Sequence, residues 1–317
     1  MQTTAIFPAH CVTIVGILNA TPDSFSDGGR FVRGDAQLDL SAALNAAAAL
    51  VRAGARVLDV GGESTRPGSQ PVSLEIEIAR TAPLIEALAK RLAVPLSIDT
   101  RKAEVARAAL DAGARIVNDV SGLRHDPGLA AVAARAGATL ILGHLRGEPA
   151  TMQERPHFDD VLREVGDELA VSVAAALAAG VPAERLVVDP GLGFGKRLED
   201  NLKLIAELGA LRRRLGLPVM MGPSRKAFLG SLTGDPIAER DRATLAVCAI
   251  AAFEGVDALR VHDVEGAVRA VVIGRALREA RREAHARSSA CGSCCSSSGA
   301  ISGRASIPSV TRLISCS

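Results

Sequence analysis

One short unit recurs along this chain and narrows its possible folds more than any other feature. An Ala-rich stretch with helical spacing is followed by a glycine and then by a short, unbroken apolar run. It reads Ala53-Gly54-Ala55-Arg56-Val57-Leu58, then Ala112-Gly113-Ala114-Arg115-Ile116-Val117, then Ala136-Gly137-Ala138-Thr139-Leu140-Ile141, with looser copies at Gly180-Val181 and Gly255-Val256. Each glycine stands where a helix takes its left-handed C-terminal cap, so the unit predicts a helix-to-strand junction. The apolar runs place eight strands at Val12–Leu18, Arg56–Val60, Pro95–Ile98, Arg115–Asn118, Thr139–Leu142, Leu186–Val188, Pro218–Met221 and Ala258–Val261. Continuous apolar strands are buried on both faces, as in parallel sheets.

Helical patterns lie between the strands. Ile78, Ala82, Ile85, Leu88 and Leu92 step by three or four, as do Val161, Val165, Leu169 and Val173. Pro83 inside the first pattern is expected to kink or restart that helix. Eight strands alternating with helices predict an α/β chain of one domain, a closed (β/α)8 barrel of the TIM type; an open doubly wound sheet is the structural alternative. The barrel domain is placed at 12–287, after an N-terminal extension over 1–11. A Ser/Cys-rich tail over 288–317 has no periodicity and is expected to be disordered. Its single C-x-x-C, Cys291 to Cys294, lacks the second pair a structural zinc site needs.

Charge and composition remove several function classes. With 37 Lys and Arg against 35 Asp and Glu, and neither Trp nor Tyr, there is no basic block and little to stack on bases, so nucleic acid is not an expected partner. No apolar run approaches the length that spans a bilayer, and Met1–Cys11 lacks the form of a signal peptide. Two of the six cysteines, Cys11 and Cys248, stand alone in the globular part, the usage of a reducing cytoplasm rather than of a disulfide scaffold.

Polar residues gather where the predicted strands end: Asn19, Asp59, Asp99, Asn118 with Asp119, His144, Asp189, Ser224-Arg225-Lys226, and Arg260 with His262-Asp263. In a parallel barrel all eight ends open on one mouth, where the loops build the active site. Helix caps do not account for Lys, Arg and His in such places. The mixture of carboxylates, amides and cations fits a ligand with both a hydrogen-bonding heterocycle and an anionic group. Gly191-Leu192-Gly193-Phe194-Gly195-Lys196 matches neither a dinucleotide fingerprint nor a P-loop, and reads as a loop that approaches a flat ligand closely. Lys196 and Arg225 are expected to be solvated loop charges, with assistance in phosphate attraction as the alternative, and His125, His157 and His285 surface residues. Cys248 is expected in a helix core, and Asp59 is left open between a structural role and support of the ligand site.

These residues also carry a resemblance. Gly16-Ile17-Leu18-Asn19-Ala20-Thr21-Pro22-Asp23-Ser24-Phe25-Ser26-Asp27-Gly28-Gly29 and Asp59-Val60-Gly61-Gly62-Glu63-Ser64-Thr65-Arg66-Pro67-Gly68 resemble the first two signatures of the dihydropteroate synthases. Ser97-Ile98-Asp99-Thr100, Asn118-Asp119-Val120-Ser121-Gly122, Asp189-Pro190-Gly191-Leu192-Gly193-Phe194, Ser224-Arg225-Lys226 and Arg260-Val261-His262-Asp263 follow in that family's order. The resemblance implies condensation of 6-hydroxymethyl-7,8-dihydropterin diphosphate with p-aminobenzoate, releasing pyrophosphate. It implies a pterin site at Asp99, Asn118, Asp189 and Lys226, a diphosphate site at Thr65, Arg260 and His262, and Mg²⁺ on Asn19. It implies a p-aminobenzoate site at Phe25, Thr65, Arg66, Pro67, Phe194 and Ser224, with Asn19, Asp27, Lys226, Arg260 and His262 as the catalytic set. Sulfonamide inhibition, a homodimer built on outer helices and a cytoplasmic setting follow from it too. The alternatives are a methyltetrahydrofolate-type methyltransferase on the same barrel and a non-catalytic pterin-binding paralogue. Two departures stand out. Gly143 lies in Gly143-His144-Leu145-Arg146-Gly147 where many relatives carry Met, which is expected to leave the pterin face less covered, and Ala227 replaces a Ser found in some relatives.

Overall fold

The computed structural model describes residues 6–8, 11–20, 32–33, 37–64 and 69–292. Eight strands form one parallel sheet: β1 Thr13–Asn19, β2 Val57–Gly61, β3 Leu96–Asp99, β4 Ile116–Asp119, β5 Thr139–Gly143, β6 Leu186–Asp189, β7 Met220–Met221 and β8 Ala258–Val261. Their spatial order is β6-β5-β4-β3-β2-β1-β8-β7. The remaining seam, between β6 and β7, is bridged in parallel by Val188 and Val219, with the Val188 N–H donating to Pro218 O at 3.0 Å. The sheet is therefore a barrel, and all eight predicted strands are present. An additional short antiparallel ladder, 32–33 with 37–38, had no counterpart in the sequence reading.

Ten helices surround the barrel among the described residues: α1 Leu40–Arg52, α2 Leu74–Ala89, α3 Ala103–Asp111, α4 Gly128–Ala136, α5 Val161–Ala178, α6 Leu198–Ala206, α7 Leu208–Leu215, α8 Ala227–Thr233, α9 Asp241–Glu254 and α10 Val264–Gly292. Local chemistry sets their ends. Asp39 accepts from the Ala42 N–H and Asp160 from the Arg163 N–H, each covering an amide that has no partner within its helix. At the other ends, Gly137 and Gly255 take φ of 61° and 96°, a region costly for a residue with a side chain. Pro83 neither restarts nor divides α2, which runs as one helix across it. The last helix continues past Arg287 to Gly292, beyond the boundary drawn from composition. None of the helices described is long and apolar enough to cross a membrane.

The pleat sorts each strand into two faces. Leu58, Val60, Ile98, Val117, Leu140, Leu142, Val188, Leu259 and Val261 join the large core between strands and helices. Val15, Val57, Ile116, Ile141, Val187, Met220 and Ala258 form a second apolar cluster with Phe7 from the N-terminal extension. These alternate residues fill the barrel's interior below the mouth. Each fully buried aliphatic side chain is worth about 1.5–3 kcal/mol relative to exposure. Alternation continues above this layer, where the same faces carry Asp59, Ser97, Asp99, Asn118, Asp189 and Arg260.

Cys248 is a free thiol wholly buried in α9, as expected, and burial pushes it up to about 12. Cys11 is disulfide-bonded, although its isolation in the globular part suggested the usage of a reducing compartment.

Candidate active site

Strand ends and their loops enclose a cavity of about 590 Å³ at the C-terminal mouth. Asn19, Asp99, Asn118, Asp189, Phe194, Ser224, Lys226, Arg260 and His262, nine of the residues singled out from sequence, line it together. Phe25, Asp27, Thr65, Arg66 and Pro67 lie outside the described residues.

Register explains the convergence. Asn19 pairs with Gly61, Gly61 with Asp99, and Asp99 with Asn118, so three polar side chains stand side by side at one level of the barrel. Gly61 leaves the space between them open: a Cβ there would meet Asn19 Oδ1 at 3.5 Å and Asp99 Oδ2 at 3.8 Å. The level below supplies Asp59, which is 1% exposed and accepts from Asn118 Nδ2 at 3.2 Å.

Arg260 joins the carboxylates. Its Nη2 donates to Asp99 Oδ2 at 2.6 Å and its Nε to Asp59 Oδ2 at 2.5 Å. Burial works against its charge, but Asp59 and Asp99 hold the guanidinium above its ordinary value. Asp99 is nonetheless raised, because burial outweighs the pull of Arg260 and Asp59 repels it. Burial likewise raises Asp189, against an N–H bond from Gly191 and the charges of Lys226 and Arg260. Asp59 Oδ1, Ser97 Oγ and Asp99 Oδ1 are buried without a hydrogen-bond partner among the described residues. Unmet buried acceptors are costly, and these mark where a ligand's N–H groups or water would bind.

Cations line the same cavity. Lys226 Nζ lies 3.7 Å from the centre of the Phe194 ring, a cation–π contact. Arg225 takes φ of 55° and is held by Asp241, whose oxygens accept from Nε at 2.8 Å and Nη2 at 2.9 Å. That strained turn aims Lys226 into the cavity. Arg225 is thus an ion-paired structural residue, not the solvated charge expected. The Ser224 hydroxyl lies 2.8 Å from His262 Nδ1 and accepts from the His262 N–H at 3.2 Å, so it holds the histidine in place.

Sequence reasoning missed Lys196. It is 3% exposed, lines the cavity, and its Nζ stands 2.9 Å from His144 Nδ1 and donates to Phe194 O at 3.1 Å. The one available signal was a lysine inside a glycine-rich loop at a strand end. Asp119 closes β4 beside Asn118 but faces away from the barrel interior. It accepts from Ser121 N–H, Ser121 Oγ and Leu123 N–H, fixing the turn where Leu123 takes φ of 69°. His125, His157 and His285 are exposed. Gly143 is explained by backbone contact: a Cβ there would stand 2.6 Å from Val120 Cα and 2.8 Å from Val120 O. A side chain at that position requires the Val120 backbone to shift. Ala227 is exposed and lines the cavity.

A closed parallel barrel with a polar, charge-paired cavity at the C-terminal ends of its strands defines a (β/α)8 enzyme. The sequence profile described as "Pterin binding enzyme" matches residues 15–262. A dihydropteroate synthase of Synechocystis sp. is 45% identical over 265 residues, covering 83% of this chain and 89% of that protein. The dihydropteroate synthase of Yersinia pestis, solved with a sulfonamide drug complex, superposes with a TM-score of 0.79 at 41% identity, covering 84% of this chain and 94% of that one. The Burkholderia cenocepacia dihydropteroate synthase complexed with 7,8-dihydropteroate gives 0.75 at 42% identity, covering 86% and 94%. The chain belongs to the pterin binding enzyme family, among its dihydropteroate synthases.

Proposed function

We propose that the barrel-mouth cavity condenses 6-hydroxymethyl-7,8-dihydropterin diphosphate with p-aminobenzoate to give 7,8-dihydropteroate and pyrophosphate. The observation that carries this reading is the set of buried carboxylates that lines one cavity together with Lys226 and Arg260. A pterin edge presents an amino group and ring N–H groups, which suit the unmet Oδ1 of Asp99 and the carboxylate of Asp189. Asn118 and Lys226 answer the ring nitrogen and carbonyl. Such bonds favour the charged forms of Asp99 and Asp189 and offset the cost of their burial.

Arg260 and His262 are assigned to the diphosphate, with Thr65. As the pterin takes over Asp99, Arg260 is released toward the phosphate charge. The C–O bond at the exocyclic carbon breaks first, and its electron pair leaves with pyrophosphate. The cationic methylene is stabilised by the electron-rich pterin until the p-aminobenzoate nitrogen attacks, forms the C–N bond and sheds a proton. No protein nucleophile is needed; orientation and stabilisation of leaving-group charge do the catalysis. Phe194 and Ser224, with Phe25, Asp27, Arg66 and Pro67, are assigned to the p-aminobenzoate side, the side that sulfonamides would occupy.

Mg²⁺ fits the donor chemistry at Asn19, whose amide oxygen borders, with the Asp99 carboxylate, the space left open by Gly61. No group of three or more His, Cys, Asp or Glu able to hold a metal exists among the described residues. The ion would rest mainly on phosphate oxygens and water, and it would supply charge neutralisation at the leaving group. The reading also carries a homodimer built on the outer helices, where Ile250, Ile273 and Leu277 are exposed, and a cytoplasmic setting.

The test is pyrophosphate release by the purified chain with Mg²⁺ and both substrates, beside Lys226→Ala. Release that requires p-aminobenzoate, yields dihydropteroate and collapses in the variant supports the reading. Binding of the pterin diphosphate without turnover would favour a non-catalytic pterin-binding protein.

A further inference from the structure

Lys196 stands out among the charged side chains of the cavity. It has no carboxylate within ion-pair distance among the described residues, and its three donors meet three acceptors: Phe194 O at 3.1 Å, His144 O at 3.4 Å and His144 Nδ1 at 2.9 Å. His144 is itself fixed from behind, its Nε2 lying 3.1 Å from Glu168 Oε2. Glu168 is held in turn by Arg124 and Arg146. With Glu168 accepting from Nε2–H, His144 Nδ1 carries a lone pair and faces the lysine as an acceptor.

The loops that Lys196 joins touch backbone to backbone. A Cβ on Gly191 would lie 1.8 Å from His144 O, and one on Gly195 would lie 2.1 Å from Arg146 O. Lys196 fastens this contact next to Phe194, whose ring carries the Lys226 ammonium on its face. The pin thus reaches the wall of the cavity through one carbonyl.

We propose that Lys196 is a positioning residue for the arylamine substrate: through Phe194 O and His144 it sets the Phe194 ring. The proposal rests on the reading that Phe194 lines the p-aminobenzoate slot. It also gives the site a pH response. Burial brings Lys196 down to about 7; Asp189 and Glu168 oppose the fall, Lys226 and Arg146 add to it, and the neutral His144 ring faces the amine directly. As an ammonium it satisfies all three acceptors. As an amine it donates only two hydrogens, so the pin loosens as pH rises.

The experiment is steady-state kinetics from about pH 6 to about pH 9 on the full chain, with Lys196→Met, Glu168→Gln and Phe194→Ala, and calorimetric binding of the pterin diphosphate. In the unmodified chain, KM for p-aminobenzoate should rise with pH through neutrality. Lys196→Met should raise it about tenfold at pH 6, flatten its pH dependence, and leave kcat and the pterin diphosphate Kd within about threefold. Glu168→Gln removes a charge that favours the ammonium, so the inflection should move to lower pH; this arm also serves if Lys196→Met does not fold. An unmoved inflection, or a p-aminobenzoate KM that ignores Lys196→Met while Phe194→Ala raises it, overturns the proposal. A KM indifferent to Phe194→Ala instead rejects the assignment of the slot.

Discussion

Arg260 Nη2 lies 2.6 Å from Asp99 Oδ2, and the same guanidinium bonds Asp59 one level deeper. One arginine therefore pairs with two buried carboxylates on strands β2 and β3 while it borders the cavity. Its removal should cost stability as well as activity. Arg260→Met leaves two uncompensated acids side by side, a loss of about 3–5 kcal/mol if both stay charged and less if one takes up a proton. The expected result is a lower urea midpoint at neutral pH, partly regained at acid pH where Asp99 is protonated. An unchanged midpoint at neutral pH would contradict the pairing.

Asp119 and Asn118 are neighbours in the chain with opposite duties. Asn118 faces the cavity, whereas Asp119 is wholly buried and its carboxylate accepts three hydrogen bonds from the turn that follows. Asp119→Ala strands the Ser121 and Leu123 N–H groups, at about 1–3 kcal/mol for each group left buried. Stability measured by denaturant should fall, while Kd for the pterin diphosphate stays within about threefold. Asn118→Ala should weaken pterin diphosphate binding.

The backbone limits Gly143 in the same region. An Ala Cβ would press on the Val120 backbone at 2.6 Å and 2.8 Å, contacts that no side-chain rotation relieves. Gly143→Ala should destabilise the chain by about 1–3 kcal/mol and loosen the His144 loop. Tighter pterin binding in that variant would show that the position was short of cover after all.

What the sequence disclosed and what it hid divide along one physical line. Strands such as Ile116–Asp119 were legible because an unbroken apolar run between Gly junctions has few other folds. Asp99, Asn118 and Arg260 were legible as a group because a parallel barrel brings all its strand ends to one mouth. The duty of each side chain was not, since it depends on partners far away in the chain. Lys196 reads as solvated until His144 is placed beside it, and Arg225 until Asp241 is. That the Ser224 hydroxyl meets His262 is likewise visible only in the fold. Composition changes at Ser288, whereas helical backbone, which needs no apolar face, continues to Gly292.

His144 supplies a pH test that is independent of catalysis. The ring is 2% exposed, and burial pushes it down to about 3, with Lys196 adding to the shift and Glu168 opposing it. In the unfolded chain a histidine titrates near its ordinary value of about 6.5. Between those values the unfolded state binds a proton that the folded state refuses, so stability falls as pH drops below about 6.5 and the loss levels off below about 3. His144→Gln removes this contribution but keeps an amide to meet Glu168. At pH 7 the unmodified chain should be the more stable of the two. By about pH 5 its advantage should have shrunk by about 2 kcal/mol, since each pH unit in the window is worth about 1.4 kcal/mol for one proton. Urea unfolding of both proteins at several pH values measures the difference directly, and carboxylates common to both largely cancel. A stability difference that stays constant from pH 7 to pH 5 would mean that His144 takes its proton in the folded state, and the neutral acceptor facing Lys196 would be lost with it.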